Sequence, residues 1–229
     1  MTRSEILAEA KPITFTPEMV RAILDGRKSQ TRRVIKPNVP GLELWEMDNS
    51  HTPYVMDSYG PHHPRYVRKT PGFDYRGQLL YVRETFTRFG NNYYHKASCI
   101  KCNADSVVRC STCIHETGQV KWMPSIHMPK SAARLFLRVT GVRAERLNSI
   151  SARDSKDEGI KVWGDGCIDG LAFGCYNWEK CFYDTCERPI ELYHELWDTI
   201  YAKKDGGAYA WDKNPWVFVY CFEKVEVTG

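Results

Sequence analysis

The chain closes on Val217-Phe-Val-Tyr-Cys-Phe-Glu-Lys-Val-Glu-Val227, and this run restricts the fold more than any other segment. An apolar run so dense suits a strand inside a small closed barrel, where both faces are covered. Gly77-Gln-Leu-Leu-Tyr-Val-Arg-Glu-Thr-Phe86 gives a second strong strand, an apolar run behind a glycine turn. Shorter strands are expected at residues 12–15, 29–35, 133–139 and 142–147, with turns between them. Helices are few, so the expected class is α+β: a small, mostly antiparallel β-barrel with flanking helices. Residues 1–229 read as a single domain with three insertions. A proline-rich loop covers about 38–70, a cysteine-paired hairpin about 95–118, and a Cys/Gly/aromatic-rich stretch about 160–187.

The first helix has a clear start. Thr16 is placed to cap it, Pro17 takes the first helical position, and Met19, Val20, Ile23 and Leu24 follow at helical spacing. Gly26 stands where a C-terminal glycine ends a helix. From Arg21 to Pro37 there are six basic residues (Arg21, Arg27, Lys28, Arg32, Arg33, Lys36) against one acid, Asp25. On a strand over 29–35, Ser29, Thr31, Arg33 and Ile35 share one face, and Gln30, Arg32 and Val34 share the other. Such a cluster grips a phosphate or another anionic ligand, or it is a solvated basic turn and edge strand. Arg83 and Glu84 interrupt their apolar run as a charged pair, either a salt bridge at a barrel rim or part of a ligand site. Ser151 with Asp154 three residues on predicts a second capped helix, ending at Gly159. Pro189–Ile200 has the periodicity of an amphipathic core helix.

The net charge of +4, from 32 basic and 28 acidic residues, is too small to argue for nucleic acid by itself. No stretch approaches the length of a membrane span, and the N-terminus lacks an apolar secretory core, so a cytoplasmic protein without membrane contact is expected. There the nine cysteines favour metal binding or burial over disulfides. Cys99-Ile-Lys-Cys102 and Cys110-Ser-Thr-Cys113 supply four soft ligands in two pairs, the pattern of a tetrahedral zinc site. With every position filled by a thiolate, that zinc is structural. A redox dithiol is the competing account. Cys167, Cys175, Cys181 and Cys186 lack this pairing and fit either a second zinc or burial as small hydrophobes. His62-His63 offers a weaker metal motif on a loop.

Gly26-x-Lys28-x-x-x-x-Arg33 resembles the GxKxxxxR signature of ASCH domains, members of the PUA-like superfamily of small RNA-associated barrels. A helix before the motif, Val82-Arg83-Glu84, the Ser-x-x-Asp-x-x-x-Glu-Gly element at 151–159 and an aromatic final strand follow in the same order. Pro17-Glu-Met-Val-Arg-Ala-Ile-Leu-Asp-Gly-Arg-Lys, Trp122-Met-Pro-Ser-Ile-His-Met-Pro and Trp211-Asp-Lys-Asn-Pro-Trp bring the chain closer to phage and prophage ASCH proteins. The resemblance implies recognition of RNA, DNA or a modified nucleotide in a cleft. Gly26, Arg32, Arg33, Arg83 and Glu84 are then ligand- or phosphate-binding candidates. One branch of small bacterial ASCH proteins hydrolyses N4-acetylcytidine. Carried onto this chain, its residues are Lys28 as base, Thr31 as nucleophile or its positioner, and Glu158 as acid. A lysine desolvated among arginines would have a lowered pKa and accept a proton, and Glu158 would protonate the leaving amine. The chain is about twice the size of those hydrolases, so a non-catalytic RNA- or DNA-binding module is the alternative expectation. In that case Trp122, Trp211 or Trp216 would stack on bases.

Overall fold

The computed structural model describes residues 1–35, 42–46, 53–57, 77–98, 121–161 and 188–228. Among these residues nine strands run in chain order: β1 Lys11–Thr14, β2 Gln30–Val34, β3 Leu42–Glu46, β4 Pro53–Asp57, β5 Leu79–Arg83, β6 Phe86–Phe89, β7 Asn92–His95, β8 Phe136–Arg146 and β9 Trp216–Val225. The helices are α1 Arg3–Glu9, α2 Pro17–Leu24, α3 Ala152–Asp157 and α4 Pro189–Tyr201, with several 3-10 turns. Five strands hydrogen-bond in the order β1-β5-β8-β9-β2, a mixed sheet, and β3-β4 and β6-β7 form two-stranded sheets. The α+β class is as expected. Among the described residues the large sheet is open, with β1 and β2 at its ends, in place of the closed barrel that the dense β9 run suggested. Pro12, which has no N–H to give a second neighbour, suits β1 to an end position. The β3–β4 hairpin also corrects the expectation of an irregular stretch around residues 37–76. Its Leu-Glu-Leu alternation at 42–44 is a strand signal that the surrounding prolines obscure.

The chain divides into two compact units. The first comprises Met1–Gly26, Gly77–Arg138 and Glu223–Gly229. Here β1 runs parallel to β5, and the first residues of β8 lie antiparallel to β5, with Tyr81 opposite Phe136. The Thr16 hydroxyl accepts from the Met19 N–H at 3.3 Å and starts α2. Beyond the helix Gly26 takes φ 76°, the left-handed C-terminal position that glycine fills without strain. Ile6, Leu79, Phe86, Met128 and Phe136 are buried in one core. Each such side chain stabilises by roughly 1.5–3 kcal/mol.

The second unit comprises Arg27–Arg76 and Val139–Phe222. β2 lies antiparallel to β9, with Arg32 opposite Val219 and Thr31 opposite Tyr220. α3 and α4 pack together, and Tyr193, Trp197 and Tyr201, four residues apart along α4, are buried with Leu147, Ile150, Val217 and Val219. The Trp197 indole N–H donates to the Tyr209 carbonyl at 2.8 Å, which satisfies the one polar atom this core takes in from that side chain.

Candidate functional site

β2 decides which basic side chains meet. Its pleat sends Gln30, Arg32 and Val34 to one face and Thr31 and Arg33 to the other. The first face is shared with Val217 and Val219 of β9, and so with the core beside α4. α3 begins where the sequence indicates. Ser151 Oγ accepts from the Asp154 N–H at 3.0 Å, Asp154 Oδ2 accepts from the Ser151 N–H at 3.3 Å, and Gly159 follows with φ 96°. Glu158 is therefore the C-cap of α3, and its backbone forms an isolated antiparallel bridge with Lys28. On either side of it, the Ser29 N–H donates to the Asp157 carbonyl at 2.8 Å and the Arg27 guanidinium to the Gly159 carbonyl at 2.9 Å.

Lys28 and Glu158 meet inside this seam. Lys28 Nζ donates to the Gln30 carbonyl at 2.7 Å, to the Glu158 carbonyl at 2.8 Å and to Glu158 Oε2 at 2.7 Å. Three acceptors match the three donors of an ammonium group. The other Glu158 oxygen, Oε1, accepts from Arg32 at 3.1 Å. The Arg32 guanidinium also donates through Nε and Nη2 to Glu145 Oε1, at 3.0 and 2.7 Å, and lies 3.6 Å from Asp154 Oδ2. Arg143 completes the network with bonds of 2.9 Å to Glu145 and 3.0 Å to Asp154. Three cations thus share three carboxylates, and two of the six basic residues that mark this segment in the sequence, Lys28 and Arg32, are paired where they are buried.

Burial pulls the Lys28 pKa below its ordinary value, and the Glu158 carboxylate pulls part of the way back. Arg32 loses by burial as well, but Glu158 and its other neighbours outweigh that and hold it more firmly charged. Tyr193, also close to Arg32 with its ring 5.9 Å from the guanidinium carbon, is pushed well above the ordinary phenol range by burial and by Glu158.

The structure therefore brings together Lys28, Arg32 and Glu158 from the residues singled out in the sequence. Thr31 is buried, and by the alternation of β2 it falls with Arg33 on the other strand face from Arg32. Gly26, Arg83 and Glu84 belong to the first unit. There Glu84 is fully buried and its two oxygens accept from Arg134 at 2.8 and 2.9 Å, so its partner is Arg134 and not the adjacent Arg83. Cys99, Cys102, Cys110 and Cys113, the second cysteine group and His62-His63 lie outside the described residues. Within the described residues no group of three or more metal-ligating side chains converges, and no helix is long and apolar enough to cross a membrane.

Glu145, Arg143 and Tyr193 were missed from sequence. Alternation along 142–147 puts Arg143 and Glu145 on one strand face. It does not say that Arg32 is their partner, because that depends on a strand register the sequence leaves open. The sequence marks Asp154 only as a cap; in the fold it serves Arg32 and Arg143 as well. No family model matches the chain, and neither a curated protein nor a solved structure matches it.

Proposed function

We propose that this protein is an ASCH-like, PUA-related protein that binds a modified nucleotide or nucleic acid and hydrolyses an N-acyl group from a modified nucleobase such as N4-acetylcytidine. The observation that carries this reading is the 2.7 Å contact between Lys28 and Glu158, 130 residues apart in the chain. These are the base and acid that the family resemblance implies. Transfer of one proton from Nζ to Oε2 turns the ammonium–carboxylate pair into an amine and a carboxylic acid, and burial of Lys28 lowers the cost of that shift. The amine then takes a proton from water as the water oxygen attacks the acyl carbon. As the C–N bond breaks, Glu158 protonates the departing exocyclic amine, and the carboxylic acid and the free nucleobase leave. Water is the nucleophile in this scheme, with Thr31 of β2 as its candidate positioner.

The test is release of cytidine from N4-acetylcytidine by the purified chain. Glu158→Gln and Lys28→Met, checked for folding by circular dichroism, should each lower the rate at least about 100-fold. No release from N4-acetylcytidine or from a panel of N-acylated nucleosides, or a rate indifferent to both substitutions, refutes it.

A second reading rests on the burial of the same pair. With side chains 0% and 3% exposed and every ammonium proton in use, Lys28 and Glu158 also fit a clamp that shapes a non-catalytic RNA- or DNA-binding surface. Half-buried Arg27 and Arg33 would then contact phosphate. In that case affinity for oligonucleotides falls steeply with added salt, while acylated nucleosides stay intact.

A further inference from the structure

We propose a phosphate-binding site in the first unit, formed by Arg83 and Lys130 around the ring of Tyr81. The pleat of β5 puts Tyr81 and Arg83 on one strand face. The Arg83 guanidinium carbon lies 5.9 Å from the Tyr81 ring centroid, and Lys130 Nζ, from the 3-10 turn Lys130–Ala132, lies 5.5 Å from the same centroid. The electron density of the ring stabilises both cations, so that two positive groups border the same side chain. Neither has a carboxylate partner among the described residues. Glu84, next along the strand, projects to the other face and is engaged by both arms of Arg134. Arg83 Nε is buried with no acceptor.

Two like charges beside one ring, one with a buried N–H left unmade, are an arrangement that folding alone does not favour. A bound anion resolves both costs. Phosphate fits the pair better than a planar carboxylate, because its tetrahedral oxygens accept from two directions. The guanidinium offers a planar fork and the ammonium a point charge on a flexible stem. Arg83 is also a phosphate-binding candidate by the family resemblance, but Lys130 and Tyr81 have no place in the Lys28–Glu158 chemistry, so the site is tested apart from the hydrolase reading.

The test is calorimetric titration of the full chain with inorganic phosphate. Wild type should bind saturably, Arg83→Met should weaken binding at least roughly tenfold, and Lys130→Met severalfold. In phosphate-free buffer both variants should unfold at or above the wild-type denaturant midpoint, since neither loses an ion pair. Absence of saturable binding, or an affinity unchanged in Lys130→Met, overturns the proposal. So does an Arg83→Met chain that fails to fold, which would make Arg83 a structural residue. Titration with a nucleoside 5′-monophosphate and with the unphosphorylated nucleoside separates the sources. Tighter binding of the monophosphate than of inorganic phosphate assigns the site to a nucleotide, and equal binding assigns it to free phosphate. Phosphate binding that survives Glu158→Gln while hydrolysis is lost, or persists in a chain with no hydrolase activity, separates the two proposals.

Discussion

Glu158→Gln isolates the most consequential contact in the second unit. The substitution keeps the shape of the side chain and the oxygen that Arg32 contacts at 3.1 Å. It places an amide N–H, or a neutral oxygen, where Lys28 Nζ now meets a carboxylate at 2.7 Å. Arg32 is cushioned, because Glu145 still accepts from it at 2.7 and 3.0 Å and Asp154 lies 3.6 Å away. Lys28 loses the carboxylate that lies closest to its charge and keeps the Gln30 and Glu158 carbonyls, which are neutral. Removing one member of a buried ion pair typically costs about 3–5 kcal/mol, and the cost here should fall mainly on Lys28. Urea unfolding followed by circular dichroism would show this as a lower midpoint at unchanged slope.

The pH dependence follows from the same contact. Without Glu158, burial and the nearby Arg33 and Arg32 charges act on Lys28 with the carboxylate's upward pull gone, and the folded-state pKa drops further below the unfolded value of 10.5. Between those two values the unfolded chain binds more protons than the folded one, so stability rises with pH. The penalty is therefore full below the folded pKa and shrinks as pH climbs toward the unfolded value, and the gap to wild type narrows on the alkaline side. Adding Lys28→Met removes the stranded charge and should restore most of the loss. A cost below about 1 kcal/mol, or a double variant no more stable than Glu158→Gln, would refute the idea that the pair carries a desolvated charge.

Four further outcomes are expected. Gly26→Ala should cost about 1–2 kcal/mol, because φ is 76° while an added Cβ meets nothing within 4 Å; Gly26→Asn should cost less, and denaturant midpoints decide. Gln78 is 4% exposed and its Oε1 has no acceptor role in use, so Gln78→Met should leave stability unchanged or raise it by up to about 1 kcal/mol, read by thermal unfolding. Burial lowers the His95 pKa from 6.5, so its contribution is intact above that value and lost as pH falls toward the folded pKa; His95→Gln should make the acid limb of the stability curve shallower. Elemental analysis of the purified chain should give one zinc, lost in a Cys99→Ser, Cys102→Ser double variant.

The parts of the fold that could be read in advance are those set by short-range chemistry. Thr16 with Pro17, Ser151 with Asp154, and the two stop glycines Gly26 and Gly159 are local instructions, and each element starts or ends where they indicate. α1, absent from the sequence expectations, carries the same kind of signal in Thr2 and Glu5, a reciprocal capping box. β8 was expected as two strands broken near Thr140-Gly141. It runs unbroken because Gly141 keeps an ordinary extended backbone close to Cys221, where an added Cβ would come within 3.9 Å of the Cys221 Cβ. Of the site, the residue types and the faces of β2 were legible. Which face meets α3 was not: Arg32, a ligand-contact candidate in the sequence, is tied to Glu145 and Glu158, and Thr31 falls on the alternate face of β2. Partner choice is a matter of strand order and register, and it lies between segments more than a hundred residues apart.

The seam between residues 27–29 and 157–159 also bears on how the chain tolerates added sequence. Lys28 and Glu158 close a loop of 130 residues, and the entropy lost in closing a loop grows only with the logarithm of its length. Removing half of the intervening chain would ease that closure by only about 0.6 kcal/mol, and doubling it would cost about as much again. Two backbone-linked positions, the Arg27–Gly159 contact and one buried ion pair therefore outweigh most changes in what lies between them. Long inserts can be gained or lost in that interval while the Lys28–Glu158 contact stays in place.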